Sequence, residues 1–146
     1  MAGDLRVVSS ALKVVTDLER IGDHASDIAE LVLRIRGEHV YHVVRHIPGM
    51  AMAAREMVRN AIDAFITQDI DAAKTIEKQD DIVDELFTKV KNDVIDLLKQ
   101  SADHADQCID LLMIAKYLER IGDHAVNVCE WTEFAKTGAL KNVRIL

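Results

Sequence analysis

Leu18-Glu-Arg-Ile-Gly-Asp-His-Ala25 recurs without a change as Leu118-Glu-Arg-Ile-Gly-Asp-His-Ala125. Eight matched positions at a single offset in a chain of 146 residues mark a duplicated unit. Both copies contain Glu-x-x-x-Asp, as Glu19 with Asp23 and Glu119 with Asp123. Residues four apart stand above one another on one face of a helix, so each copy stacks two carboxylates. Like charges at that spacing repel, and a hard cation is one thing that offsets the repulsion. Each copy also carries a glycine, Gly22 or Gly122, in what reads as a helix interior. Glycine there costs about 1 kcal/mol relative to alanine. Close approach of a neighbouring helix is the expected compensation, with the same packing geometry in both copies.

Outward from the motif, the chain reads as four helices. Residues 4–36 place Leu5, Val8, Leu12, Val15, Leu18, Ile21, Ala25, Ile28, Val32 and Ile35 at intervals of three or four. This is the apolar stripe of a long amphipathic helix, with Gly37 as its stop. Residues 38–47 form a connector, and Pro48 suits the first turn of a second helix reaching Thr67. Met50, Ala54, Met57, Ala61, Ile62 and Phe65 form its apolar side. A third helix over 70–99 turns Ile76, Val83, Leu86, Val90, Val94 and Leu97 inward. Ser101 or Asp103 then caps a fourth over 104–136, which buries Leu111, Ile114, Leu118, Ile121, Ala125 and Val128. Gly138 ends it, and residues 139–146 are a tail.

The motif lies within the first and fourth helices, which are thus homologous copies. Helices two to four therefore make one complete three-helix repeat over 48–138. Residues 1–37 are the last helix of a preceding repeat whose first two helices are missing. The fold class is all-α. An apolar stripe of ten residues on helix one needs cover, from helices two to four or from a second chain. The expectation is a homo-oligomer in which helix one packs in trans.

Composition agrees. Hydrophobic residues at 49% and charged residues at 29% suit a globular protein, and one proline with 4% aromatics favours helices over a sandwich or barrel. A formal net charge of −7 argues against nucleic acid as a partner. Cys108 and Cys129 form no CxxC pair and read as small buried hydrophobes in a reducing compartment. No apolar run approaches the roughly 20 residues of a membrane span, and no leader is visible, so a cytoplasmic location is expected.

Glu19, Asp23, Asp27 and Glu30 share one narrow strip of helix one, and Glu119, Asp123, Asn127 and Glu130 repeat it on helix four. Asp80 and Asp84 give the third helix a pair at the same spacing. If helices three and four run antiparallel, Asp80/Asp84 and Glu119/Asp123 meet across a shallow groove. Oxygen donors alone favour Mg²⁺, Mn²⁺, Ca²⁺ or iron over structural zinc or copper. The bland alternative is a solvated acidic face. His39, His42 and His46 share a spacing that can bind zinc or nickel, but they also fit a polar connector. His24 and His124 point away from the carboxylate strip, to acids one turn away or to solvent. Trp131 and Phe134 fit a core cap. No nucleophile–base set and no phosphate-binding glycine loop is readable. No glutamate is followed three residues later by histidine, which speaks against a di-iron carboxylate bundle.

Leu118–Ala125 with Asn127 and Glu130 resembles the signature of the PhoU family of phosphate-transport regulators. Asp4-Leu5-Arg6 leading into Leu18–Asp23, Asp63-Ala-Phe65 through Asp69-Ile-Asp71, and Asp80-Asp-Ile-Val-Asp84 are similar to further segments of that family. The resemblance covers nearly the whole chain. It implies a PhoU-like helical bundle with multinuclear metal clusters of iron or other divalent or trivalent ions (Mn, Mg or Zn). The implied ligands are Asp80, Asp84, Glu119 and Asp123, with Asn127 and Glu130 nearby, and Glu19, Asp23 and Asp27 for a first cluster. It further implies a non-enzymatic negative regulator of the phosphate-starvation response. Such a regulator links a phosphate ABC-transporter ATPase to a PhoR-type sensor histidine kinase and meets the membrane only through these partners. A metal-dependent phosphohydrolase using the same carboxylates and a metal-free helical interaction module are the competing expectations.

Overall fold

The structure, a computed structural model, describes residues 1–35 and 45–139. They form four helices: α1 (Ala2–Arg34), α2 (Ile47–Thr67), α3 (Ile70–Gln100) and α4 (Ala105–Thr137). The boundaries follow local chemistry. Pro48 sits in the first turn of α2, where its missing N–H costs nothing. Gln68 ends that helix in the left-handed region, and the Asp69 carboxylate accepts from the Ala72 N–H at 3.0 Å to start α3. Gly138, with φ +75°, closes α4 through an N–H donated to the Phe134 carbonyl at 2.8 Å.

Two boundary expectations need correction. α1 stops at Arg34, where Ile35 is already extended, and Gly37 lies outside the described residues. Neither Ser101 nor Asp103 caps α4. His104 holds that position without a side-chain bond, while Ser101 Oγ accepts from the Asp103 N–H at 3.1 Å and so stabilises the turn itself.

α4 is the axis of the molecule. Every residue from His124 to Glu133 is buried, so the helix is enclosed all round there. The α2–α3 hairpin packs on one side of it and α1 on the other, and α1 touches neither α2 nor α3. The inward residues of α2 and α3 are largely those expected: Met50, Ala54, Met57 and Ala61, and Ile76, Val83, Val90 and Val94.

α1 departs from expectation. It packs on α4 of its own chain, and not through the apolar stripe read from the sequence. Ser10, Val14, Asp17 and Leu31 are its buried residues, whereas Leu5, Val8, Leu12 and Val15 are each at least 60% exposed. The contact follows positions 10, 14, 17, 21, 24, 28 and 31, a heptad seam. Three of those seven residues are polar, Ser10, Asp17 and His24, which hides the seam from a hydrophobicity pattern. On α4 the facing seam is 110, 114, 117, 121, 124, 128 and 131, the same positions shifted by one hundred. The two helices run antiparallel, as the pairs His24–Tyr117, Asp17–His124 and Arg34–Asp110 require. The motif copies thus face each other across a pseudo-two-fold axis near Ile21 and Ile121. No helix among the described residues is long and apolar enough to cross a membrane.

Candidate metal centre

α3 and α4 bring Asp80, Asp84 and Asp123 together: one carboxylate oxygen from each lies within 4.8 Å of the others. Asp80 is fully buried, Asp123 half-buried and Asp84 exposed, so the cluster grades from the interhelical interface to open solvent. Gly122 explains how Asp80 can sit so deep. A Cβ at Gly122 would lie 3.1 Å from Asp80 Oδ1 and 3.7 Å from both Met57 Sδ and Val83 Cγ1. The glycine is therefore the notch that seats the carboxylate. Its counterpart Gly22 has nothing within 4 Å of that position, so the shared packing expected for the two glycines holds for the second copy only.

Three carboxylates at this separation repel unless a cation or a proton offsets them. An all-oxygen donor set with one open side fits a hard, partly hydrated cation. The donors, and the notch that holds Asp80 among them, are compatible with the metal that the motif suggests.

The other candidate ligands fall elsewhere. Glu119 Oε1 lies 2.6 Å from Lys116 Nζ, and that ammonium also sits 5.2 Å from the Phe87 ring centre. Asn127 is buried and donates from Nδ2 to Asp17 Oδ1 at 3.2 Å, which ties α4 to α1. Glu130 is buried near Cys129. Burial, followed by the nearby Glu77, Glu133 and Glu130, pushes the Cys129 thiol up to about 12. On α1, Glu19 and Asp23 are exposed, Asp23 being 4.0 Å from Arg20, and Asp27 lies 3.9 Å from His24. Among the described residues, these acids are not gathered into a second three-ligand cluster. Of the three histidines of the connector, His39 and His42 lie outside the described residues, and His46 Nε2 is 3.8 Å from Asp93 Oδ2. Trp131 and Phe134 meet edge to face at 5.7 Å, in keeping with a core cap.

The sequence reading missed Asp17. Its carboxylate is buried and accepts from Asn127, and lies 2.8 Å from His124 Nδ1. His124 is itself buried, so it is neither solvent-facing nor paired within its own helix. The His24 ring stacks on Tyr117 at 5.5 Å and lies 5.6 Å from the His124 ring. Burial lowers the His24 pKa from its ordinary 6.5, with His124 and Arg120 adding to the shift and Asp27 and Asp23 opposing it. The signal for Asp17 was its place in the heptad seam, two turns before His24.

A helical bundle whose duplicated E-x-x-x-D helix meets a second acidic helix at a carboxylate cluster defines a narrow class. The PhoU domain profile matches residues 1–32 and 47–132, and the chain belongs to the PhoU family. It is 38% identical over 138 residues to the phosphate-specific transport system accessory protein PhoU homolog of Clostridium acetobutylicum, covering 94% of this chain and 63% of that protein. The homolog of Borreliella burgdorferi is 32% identical over 150 residues, covering 98% and 66%. The crystal structure of the phosphate transport system regulatory protein PhoU from Streptococcus pneumoniae superposes with a TM-score of 0.88 at 27% identity, covering 97% of this chain and 67% of that one. PhoU from Pseudomonas aeruginosa gives 0.84 at 31% identity, covering 95% and 67%. The chain thus spans about 63% of the length of the Clostridium relative.

Proposed function

We propose that this chain is a non-enzymatic regulator of phosphate uptake and a negative regulator of the phosphate-starvation response, acting in the cytoplasm through a metal-loaded acidic centre. The observation that carries the metal is the convergence of Asp80, Asp84 and Asp123 on one point. Asp80 supplies a buried ligand fixed by the Gly122 notch, and Asp84 and Asp123 complete a donor set open to solvent. A bound cation would offset the carboxylate repulsion and pin α3 against α4. Glu119 flanks this set one turn away, and Glu130 lies further along α4. Glu19, Asp23 and Asp27 have the spacing for a second site that needs carboxylates from another segment or chain. The partners proposed are a phosphate ABC-transporter ATPase and a PhoR-type sensor kinase. The relatives' names as phosphate transport accessory and regulatory proteins support that reading.

The test is elemental analysis of protein equilibrated with iron(III), manganese and magnesium, then desalted. The chain should retain metal, Asp80→Asn and Asp123→Asn should each lose most of it, and Asp23→Asn should retain it. Metal-free wild-type protein would remove the centre from the proposal. Pull-down by purified transporter ATPase or sensor kinase tests the partner half separately, and turnover of a phosphate ester that is abolished by Asp123→Asn would overturn the non-enzymatic reading.

A further inference from the structure

Away from the acidic centre, α1, α2 and α4 enclose an apolar groove of about 540 Å³. Ile21 and Ile28 of α1, Val58 and Ile62 of α2, and Leu118 and Ile121 of α4 form its walls. Arg55 and Arg59, one turn apart on α2, also line it. Both are exposed, and neither makes an ion pair or side-chain hydrogen bond among the described residues. In a chain of net charge −7, two adjacent cations left uncompensated beside a concave apolar surface run against the general charge pattern. We propose that this groove seats an acidic amphipathic helix of a partner protein.

The dimensions fit a helix. The groove follows α2 from Ala51 to Ile62, about 16 Å at 1.5 Å per residue, or three helical turns. A helix in a groove buries side chains at i, i+3 or i+4, and i+7. Carboxylates four apart on the flank of such a helix match the spacing of Arg55 and Arg59 and form charge-assisted bonds to guanidinium groups. An inorganic anion would find the two arginines but gain nothing from the apolar walls. An anionic bilayer is opposed by the net negative charge of the chain. This proposal is independent of the metal centre, whose residues lie between α3 and α4.

The probe is a synthetic three-turn peptide with leucines at i, i+3 and i+7 and a flanking pair of glutamates four apart, fluorescein-labelled and followed by anisotropy against the full chain. A sister peptide carries lysines in place of the glutamates. The acidic peptide should bind the wild type at least about tenfold more tightly than the basic one, and the double variant R55E/R59E should reverse that order. Both substitutions are on exposed residues, and unchanged helicity and melting temperature would verify that the variant folds. Val58→Glu should weaken both peptides. The double variant Asp80→Asn with Asp123→Asn should bind like the wild type, which separates this result from any failure of the metal centre. Equal binding of the two peptides, or indifference to R55E/R59E, overturns the proposal. So does R55E/R59E abolishing self-association, which would assign the groove to a second copy, or abolishing binding to phosphatidylglycerol vesicles without affecting the peptide.

Discussion

At the scale of single residues, Gly22 and Gly122 form a natural experiment. They hold the same place in the same octapeptide, yet only Gly122 has an aspartate against it. Gly122→Ala must displace Asp80 or its neighbours and should destabilise the chain by about 1–3 kcal/mol. It should weaken metal retention as well. Gly22→Ala meets open space and gains helix propensity, a stabilisation of up to about 1 kcal/mol. Urea denaturation of the two variants checks the contrast, and equal effects would refute the assigned role of the notch. The positions of Asp80, Asp84 and Asp123 were legible because their i, i+4 spacing needs only antiparallel packing to bring them together. The fate of Asn127 was not, since the acid that engages it stands on another helix and leaves no record in the spacing along its own. The partner of Glu119 is different: Lys116 stands three residues before it on the same helix, and that i, i+3 pair is written in the sequence.

Among the elements, α1 depends on a polar seam. Asp17 is buried and serves both Asn127 and His124, so removing it takes a buried carboxylate partner from each. Asp17→Ala should cost about 3 kcal/mol and loosen α1 while α2–α4 remain packed. Hydrogen exchange should show faster exchange in α1 and little change at Val90 or Val94, and uniform loss across all helices would contradict this. His24 gives the seam a pH dependence. Its pKa is lowered on folding, so in the window from its folded value up to about 6.5 the unfolded chain binds more protons. Stability therefore falls as pH falls through that window and is not regained below it. In metal-free buffer, the urea midpoint of His24→Gln should drop less between pH 7.5 and 5.5 than that of the wild type, and identical drops would exclude the effect. The same seam marks where the sequence misleads. The inward faces of α2 and α3 were readable because apolar residues dominate them, whereas α4 is buried on all sides between His124 and Glu133, with Asn127, Glu130, Thr132 and Glu133 inside. In α1 the polar residues lie inside and Leu5, Val8, Leu12 and Val15 outside, so a pattern read from hydrophobicity selects the wrong face.

For the whole molecule, that outward apolar face of α1 is the surface that a homo-oligomer would cover. Because α1 already packs on α4 in its own chain, a second chain would add to that contact rather than replace it. Leu12→Glu with Val15→Glu, both on exposed positions, should convert a concentration-dependent oligomer into a monomer in sedimentation experiments without lowering the melting temperature. A wild type that stays monomeric throughout the concentration series would dispose of the oligomer. The pseudo-two-fold seam between α1 and α4 carries a historical reading. A self-complementary surface, in which a residue i meets j and the equivalent of j meets the equivalent of i, is what a symmetric dimer builds. Gene duplication and fusion would turn such an interface between subunits into one inside a single chain. Once internal, its two halves no longer need to match, and three seam positions now differ most: Ser10 against Asp110, Asp17 against Tyr117, and Leu31 against Trp131. An α4–α4 pairing would give each His124 a tyrosine where α1 supplies a carboxylate. The divergence of the copies thereby sets the unlike α1–α4 pair apart from an α4–α4 one, because only α1 brings a carboxylate to His124.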